Sequence, residues 1–418
     1  MRIGIQTWGS HGDVAPTVAL GAGLSAAGHD VTLEVASDGS VDYTTAAKAA
    51  NIKLRLTDTT RAEPPAAVLR QIGNTMDPLK ELRLLNQHYF DPFEAELFNA
   101  SKRLCEENEL VIGHFWIHTL LAASQLTNTP RVALHFCPIG VRSRTMPASG
   151  PDLGPWLNGL VWNIGDRLIT RQLLTSANTL RAREGLPPIT SAQRDLFISA
   201  DLTMIAASPV LFERPPDWGK HIVVPGHFST HGSARRGQFD AQLRAFVEAG
   251  EPPIFMSFGS CDRFYGADNL SLFLKTVEAS GLRAIVQTET VPNKDTLDMQ
   301  QVRVVRECDH GQVFPHCRLI VHHGGAGTTH SSLAAGRPAV IVAHGFDQYF
   351  WGRVAARRGF AAAPLVRRSV SPRQLAKAVT RVARDSTMTE VTKQAGRQLA
   401  QENGVETAVR LITESFAG

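Results

Sequence analysis

A glycine-rich turn between an apolar run and a helical pattern constrains the fold of this chain more than any other feature. Residues 318–321 are typical of a short buried strand, and residues 328–335 have the pattern of a helix that ends at Gly336. Free backbone N–H groups and the dipole at the start of a helix bind anions, and glycines let a phosphate approach the main chain. The turn at residues 322–327 therefore predicts a site for a diphosphate.

Side chains next to this turn extend the predicted site. Thr328 and Thr329 supply hydroxyl donors. We expect His323 and His330, which are seven residues apart, to flank the same negative charge.

Polar side chains also follow the next predicted strand. Residues 338–343 are mostly apolar, and Asp347 and Gln348 come shortly after them. Ligands of doubly wound sheets bind at the carboxyl ends of parallel strands, and a carboxylate beside an amide suits the vicinal hydroxyls of a sugar. We therefore assign Asp347, Gln348 and His344 to sugar binding.

Length and composition are those of a globular protein with more than one domain. The 418 residues, 43% of them hydrophobic and 20% charged, fit two medium α/β domains. The formal charge of +4 comes with scattered arginine pairs, whereas nucleic-acid binding requires a dense basic surface with aromatic side chains. We expect no nucleic-acid partner, while peripheral contact with an anionic membrane surface stays open.

The cysteines and the apolar runs favour a cytoplasmic protein without a metal site. The five cysteines form no C-x-x-C pair, which is typical of reduced thiols. Cysteines and histidines concentrate in residues 308–323, but their spacing matches no standard zinc pattern. We find no secretory signal and no apolar run long enough to span a membrane. The prediction is a cytoplasmic protein with no metal or other cofactor.

A second strand-to-helix loop, near the N terminus, carries two titratable side chains. Residues 3–8 predict a strand and residues 14–27 a helix, with His11 and Asp13 between them. An Asp ahead of a helix also serves as a cap, and a histidine there can be an ordinary loop residue. An imidazole with a pKa near 6.5 is a better base at neutral pH than a carboxylate near 3.9, so the residues alone leave open which of Asp13 and His11 accepts a proton.

The motifs around the glycine-rich turn resemble those of the GT-B nucleotide-sugar glycosyltransferases, in the branch with antibiotic, macrolide and sterol glycosyltransferases. The matching pattern is His-Gly-x-Ala-Gly-Thr-Thr-His, from His323 to His330, followed by Asp347-Gln348. In that family the Asp-Gln pair holds the sugar of the donor. The resemblance implies that six residues bind the donor diphosphate: His323, Gly325, Gly327, Thr328, Gly259 and Ser260.

The same resemblance assigns catalytic and nucleoside-binding positions. The family has Gly-Ser-Arg-Gly-Asp where this chain has His11 in place of the arginine, and Asp13 stands at the position of the family's proposed general base. The loop at residues 308–316 is similar to the one that holds the nucleotide base. Plant relatives have a ribose-binding Glu where this chain has Ser331, so uridine and thymidine donors are not separated. The implied nucleoside-binding residues are Cys308, His310 and Val313.

Aromatic side chains in the first half predict an apolar acceptor site. Residues 65–99 form a helical stretch with a broad apolar face, most of which core packing explains. The predicted strand at residues 110–114 ends beside aromatic rings on which a planar acceptor can lie. Residues 138–166 predict an irregular loop with exposed aromatics, such as an aglycone pocket uses. The candidates for acceptor binding are His114, Trp116, Phe90, Met76 and Trp156.

Together these features predict the GT-B architecture, with two Rossmann-like doubly wound α/β domains facing each other across a cleft. We expect an acceptor domain at residues 1–225, a linker at 226–253, a donor domain at 254–402 and a C-terminal helix at 403–418 that packs on the first domain. The predicted reaction is inverting transfer of a hexose from a UDP- or dTDP-linked sugar to a hydroxyl of a hydrophobic natural product, sterol or lipid. The alternatives are a sugar-nucleotide 2-epimerase on the same fold and a catalytically silent activator protein.

Overall fold

The computed structural model of the chain shows two compact units. The first comprises Met1–Pro65, Asp77–Ala234 and Asn403–Gly418, and the second comprises Ala66–Met76 and Arg235–Glu402. The described residues are 1–37, 42–59, 68, 71, 72, 75, 77–147, 151–229, 239–290, 300–345 and 347–416.

The first unit is built on a sheet of seven strands in the order β3-β2-β1-β4-β5-β6-β7, all paired in parallel. Helices cover such a sheet on both faces, so its central strands are apolar runs, and every residue of β4 and β5 is buried. The strands are β1 (Arg2–Gly9), β2 (Asp30–Ser37), β3 (Lys53–Leu56), β4 (Leu110–His114), β5 (Arg131–His135), β6 (Leu202–Ile205) and β7 (Ile222–Val223).

The helices of the first unit include the C-terminal one. They are α1 (His11–Ala26), α2 (Thr44–Ala49), α3 (Pro78–Leu85), α4 (Glu94–Glu107), α5 (His118–Thr127), α6 (Pro155–Arg183) and, at the C terminus, α15 (Gly404–Phe416). The last helix packs on α1, where a Cβ at Gly23 would collide with Val405. Ala408, Val409 and Ile412 of α15 thereby join the core of the first unit.

The second unit has a sheet of six parallel strands in the order β10-β9-β8-β11-β12-β13. Its strands are β8 (Ile254–Ser257), β9 (Ala284–Gln287), β10 (Val302–Val305), β11 (Ile320–His322), β12 (Ala339–Ala343) and β13 (Leu365–Val366). Its helices are α7 (Ala241–Glu248), α8 (Asp262–Tyr265), α9 (Ala267–Ser280), α10 (His310–Val313), α11 (Ala326–Ala334), α12 (Gln348–Arg357), α13 (Pro372–Ala383) and α14 (Ser386–Leu399).

Each sheet has a point at which the strand order reverses. In the first sheet β2 and β3 follow on one side of β1, whereas β4 and the later strands follow on its other side, so the reversal lies between β1 and β4. In the second sheet the reversal lies between β8 and β11. Loops that leave the carboxyl ends of such neighbouring strands diverge and form a crevice for a ligand. The loops after β1, β4, β8 and β11 carry most of the residues that the sequence singled out.

Two segments differ from the predictions. The irregular loop predicted at residues 138–166 is correct only in its first part, because α6 begins at Pro155 and continues for 29 residues. Proline is tolerated in the first turn of a helix, and none follows within α6. The predicted linker at residues 226–253 contains α7, whose Leu243, Phe246 and Val247 are buried in the core of the second unit.

Candidate functional site

The imidazole of His323 is held between two glycines at the switch point of the second sheet. A Cβ at Gly259, in the loop after β8, would lie 3.1 Å from His323 Cε1. A Cβ at Gly325 would collide with His323 Nε2, at a separation that real Cβ atoms essentially never show. Both positions therefore require glycine for the ring to keep its place, and they bring together the two loops that the sequence assigned to the diphosphate.

Gly324 makes the sharp bend between β11 and α11. Its φ of +95° is a conformation that other residues rarely adopt. A Cβ there would lie 2.7 Å from Ile341 Cγ2 and 2.8 Å from the carbonyl oxygen of Gln348. The bend is thus packed directly on β12 and on the first residue of α12.

The start of α11 is open to an anion. Gly325 is its N-cap residue and has no side chain to accept from the first N–H groups, and around a Cβ at Gly327 there is nothing within 4 Å. Thr328 is half-buried and makes no side-chain hydrogen bond within the part of the chain that the structure describes. N–H groups at an uncapped helix start, together with the helix dipole, make an anion site.

Two predicted contacts to the anion, the hydroxyl of Thr329 and the ring of His330, are wrong for geometric reasons. Thr329 is buried, and its hydroxyl donates to the carbonyl oxygen of Gly325 at 2.9 Å. The His330 ring is fully buried; its Nδ1 donates to Ala326 O at 2.7 Å and its edge packs on Trp351. Residues 329 and 330 therefore stabilise the first turn of α11 instead of flanking an anion.

Three histidines of this region are held neutral by burial. Burial lowers the pKa of His323 to about 4, with a smaller contribution from His310, and it lowers the pKa of His322 and His344 well below the ordinary value. His322 Nδ1 accepts from Gly324 N, so the proton of the neutral ring is on Nε2. Nε2 of His322 and Nδ1 of His323 are buried without a partner among the described residues.

The sugar-binding candidates lie at the carboxyl end of β12, but their surroundings differ. Asp347 Oδ2 accepts from the indole N–H of Trp351 at 2.9 Å. Burial raises the pKa of Asp347 to about 6, although the hydrogen bond from Trp351 lowers it. Gln348 is buried; its Oε1 accepts from His344 N at 2.8 Å and its Nε2 donates to Cys261 Sγ at 3.3 Å. The His344 ring is buried against Phe258.

The nucleoside-binding candidates surround Gln287 at the end of β9. Gln287 Oε1 accepts from His310 Nε2 at 2.9 Å and from Cys308 Sγ at 3.5 Å, and the His310 ring stacks on Phe314. Burial raises the pKa of the Cys308 thiol to about 12, so the group stays protonated. The prediction that Val313 binds the nucleoside is wrong. Its side chain is fully buried in the core of the second unit, so it cannot contact a nucleoside.

In the first unit, Asp13 is part of a helix cap. Its Oδ2 accepts from the Ser10 backbone N–H at 3.0 Å and from Ser10 Oγ at 3.3 Å, which completes a capping box at the start of α1. A Cβ at Gly9 would collide with Asp13 Oδ2. His11 Nδ1 is 2.9 Å from the Tyr43 hydroxyl, and the two rings are stacked.

Aromatic side chains meet at the carboxyl ends of β1 and β4. His114 Nδ1 accepts from the indole N–H of Trp8 at 3.2 Å, so its proton is on Nε2, and burial lowers the pKa of His114 to about 3. Phe90 packs edge-on against Trp8 at 4.3 Å between ring centroids, and it is tilted against Trp116 at 6.5 Å. Trp116 Nε1 donates to Asn86 Oδ1 at 3.3 Å.

The remaining acceptor candidates lie elsewhere. Trp156 is 78% exposed on the first turn of α6 and makes no ring contact with this cluster within the described residues. Met76 lies outside the described residues. The sequence interpretation missed Trp8 and Gln287, although each stands in the last two positions of a strand, where a functional side chain is expected.

Comparison with known proteins finds similar chains among glycosyltransferases. Residues 283–413 match the model of a family described as erythromycin biosynthesis protein CIII-like, C-terminal domain. O-mycaminosyltylonolide 6-deoxyallosyltransferase of Streptomyces fradiae is 27% identical over 430 residues, 99% of this chain and 97% of that protein. Sterol 3-beta-glucosyltransferase UGT80B1 of Arabidopsis thaliana is 32% identical over 205 residues, 48% of this chain and 33% of that protein.

The solved structures agree on the fold. The crystal structure of glycosyltransferase VinC in complex with DTDP matches this chain with a TM-score of 0.64 and 17% identity, over 100% of each chain. The family model, the relatives and the two parallel sheets agree with the glycosyltransferase family that the sequence motifs resemble. This chain is a homologue of the antibiotic and sterol glycosyltransferases and has their GT-B fold.

Proposed function

We propose that this chain is an inverting glycosyltransferase that moves a hexose from a UDP- or dTDP-linked sugar to a hydroxyl of a hydrophobic acceptor. The observation that carries the proposal is the anion site of the second unit. There an uncapped helix start lies beside a neutral imidazole that two glycines hold in place, at the switch point of a parallel sheet. The two relatives described above are transferases, which does not favour an epimerase or a silent activator.

The anion site fits the leaving group of such a reaction. As the bond between sugar and diphosphate breaks, negative charge grows on the diphosphate, and donors that are already in position stabilise it without further rearrangement. The N–H groups of Gly327 and Thr328 and the helix dipole supply this stabilisation. His323 contributes a hydrogen bond instead of a full charge, because its ring is neutral.

Asp347 and Gln348 are proposed to hold the sugar. An ionised Asp347 has acceptor sites beyond the one that Trp351 uses. Gln348 keeps a second amide hydrogen beyond the one that points to Cys261. An acceptor and a donor side by side match two neighbouring hydroxyls.

The first unit is proposed to bind the acceptor and to remove its proton. In an oxocarbenium-like transition state the proton leaves late, so a carboxylate with a modest pKa can serve as base. Asp13 and His11 are the two candidates, and both are anchored, by Ser10 and by Tyr43. The rings of Trp8 and Trp116 are partly exposed and suit a flat apolar acceptor. Phe90 is a correction to the sequence prediction, because its side chain is buried and packs against these two rings instead of facing an acceptor.

His114 gives the acceptor site one fixed polar group. Trp8 and the backbone N–H of Trp116 both donate to its Nδ1, which leaves Nε2–H as a donor. With a pKa of about 3, the ring is a donor and not a base at neutral pH. We propose that it orients a carbonyl or hydroxyl oxygen of the acceptor.

The experiment that tests the proposal measures release of nucleoside diphosphate from UDP- and dTDP-linked hexoses. The protein is incubated with a panel of hydrophobic alcohols, and the anomeric configuration of the product is read by NMR. We expect release that depends on an acceptor, with inversion of the anomeric configuration. Retention, or hydrolysis that no acceptor accelerates, contradicts the proposal.

Two variants separate catalysis by Asp13 from helix capping. Asp13→Asn keeps an oxygen that accepts from Ser10, so the thermal midpoint should change little, while turnover falls about a hundredfold or more if Asp13 is the base. His11→Gln is the matched variant for the imidazole. If Asp13→Asn keeps full turnover and His11→Gln loses it, the base is His11.

A further inference from the structure

One face of α6 exposes a row of large apolar side chains. The row comprises Trp156, Leu157, Leu160, Ile164 and Leu168, each between 40% and 78% exposed, and we call it the α6 apolar stripe. At about 100° per residue these positions fall on one side of the helix. The stripe is about 18 Å long, because its ends are 12 residues apart at about 1.5 Å per residue.

The opposite face of α6 already has its partner. Leu173 and Ala177 are buried in a cluster with Phe197, and Trp162 is buried with its indole N–H bonded to Met146 O at 2.8 Å. The helix is therefore apolar on two sides, and only one side is covered within the described residues. Contiguous exposed apolar rows of this kind mark interaction surfaces.

The charges around the stripe are positive. Arg167 and Arg171 are exposed on the same side of α6, and Arg142 and Arg144 are exposed beside Gly159 on the neighbouring loop. None of these four arginines forms an ion pair within the described residues. The nearby acidic groups accept hydrogen bonds from the protein: Asp166 accepts from Ser191, and the exposed Asp152 and Asp217 accept from Asn158 and from the backbone N–H of Arg144.

We propose that the α6 apolar stripe docks on the surface of an anionic lipid bilayer. Apolar side chains on one face of a helix enter the boundary of the acyl chains, while arginines beside them bind negatively charged headgroups. A second copy of the chain suits the face less well, because a twofold interface would bring the unpaired arginines of both copies together.

Docking through α6 also places the acceptor site close to the lipid. Ile169 and Leu173 on the inner side of the helix pack in one cluster with Phe115 and Trp116. An acceptor dissolved in the bilayer would have a short path to these rings. This consequence depends on the proposed function, whereas the docking itself does not.

The test is co-sedimentation of the full chain with vesicles of phosphatidylcholine alone or mixed with phosphatidylglycerol. We expect binding to the mixed vesicles that weakens as salt is raised. Leu160→Ser/Ile164→Ser should weaken binding about tenfold or more through lost apolar burial, and Arg167→Gln/Arg171→Gln should do so by a similar factor through lost charge. All four side chains are on the surface, so thermal unfolding should confirm that the variants fold.

The matched control is Leu56→Ser/Leu126→Ser, which removes two exposed leucines of the first unit outside the stripe. It should bind like the unchanged protein. The proposal is overturned if the protein does not bind mixed vesicles, or if the stripe variants bind as well as the control. It is equally overturned if light scattering shows a dimer that Leu160→Ser/Ile164→Ser dissociates, since a second copy then covers the face. Because no sugar transfer is measured, failure here is distinct from failure of the proposed function.

Discussion

Substitution of Gly325 by alanine tests whether the position of His323 matters for diphosphate binding. The backbone of Gly325, with φ of −61° and ψ of 149°, is one that alanine adopts without strain. The new methyl group would collide with His323 Nε2, so the ring has to move by at least about 0.5 Å before the contact reaches the 3.0 Å limit of real Cβ atoms. The other side of the ring is closed by Gly259.

The expected effects follow from that displacement. The shift breaks the hydrogen bond from His323 to the charged diphosphate, which contributes about 1.5–3 kcal/mol, so we expect nucleoside diphosphate binding to weaken about 10- to 100-fold. Overpacking and the poorer N-cap should lower the free energy of unfolding by about 1–3 kcal/mol. Gly165→Ala is the matched control: nothing lies within 4 Å of its Cβ, and it sits inside α6, so it should stabilise by about 0.5–1 kcal/mol without changing binding.

The assay is calorimetric titration with UDP and dTDP in a double-mutant cycle with His323→Ala. If the alanine at position 325 acts through His323, it should add less than about a twofold loss in the His323→Ala background. An equal loss in both backgrounds would show that His323 is not the group that the methyl displaces. Unchanged binding by Gly325→Ala alone would refute the assignment of this imidazole to the diphosphate.

Three other predictions concern the same unit. Binding of a nucleotide sugar should weaken as pH falls below about 6, because protonation removes the charge of Asp347 and turns one of its acceptor oxygens into a donor, and calorimetry with Asp347→Asn should give a flat profile. Gly324→Ala should lower the free energy of unfolding by about 2–4 kcal/mol in urea denaturation, while Gly281→Ala, with φ of +66° and nothing within 4 Å, should cost only about 1–2 kcal/mol. Chelation by EDTA should leave turnover unchanged, since the proposed donors for the leaving group belong to the chain; a loss that Mg²⁺ restores would contradict this.

The sequence was sufficient for the parallel-sheet fold because the central strands of both sheets are buried on both faces. Such strands are short apolar runs, and β11 and β12 are recognisable from residues 318–321 and 338–343 alone. The predicted start of α11 was late by two residues, since Ala326 and Gly327 belong to the helix although glycine is a poor helix former. The start of α6 was missed for a similar reason, because prolines and glycines surround Pro155.

What the sequence could not predict was the direction of individual side chains. Whether Val313 faces a ligand or the core depends on where Phe255 and Phe314 pack, which no local pattern encodes. The hydrogen bond between Trp8 and His114 joins residues 106 positions apart, and it decides which nitrogen of His114 donates. Trp156 fits the pattern of an aromatic pocket, but α6 presents it outward.

The most direct test of the account is NMR of backbone amides during titration with dTDP and UDP. We expect the largest shifts at the amides of Ala326, Gly327 and Thr328, the first turn of α11, where the diphosphate is proposed to bind. The shifts should be much smaller in His323→Ala at the same ligand concentration. Saturable binding that leaves these three amides unmoved, with the shifts elsewhere in the chain, would contradict the account.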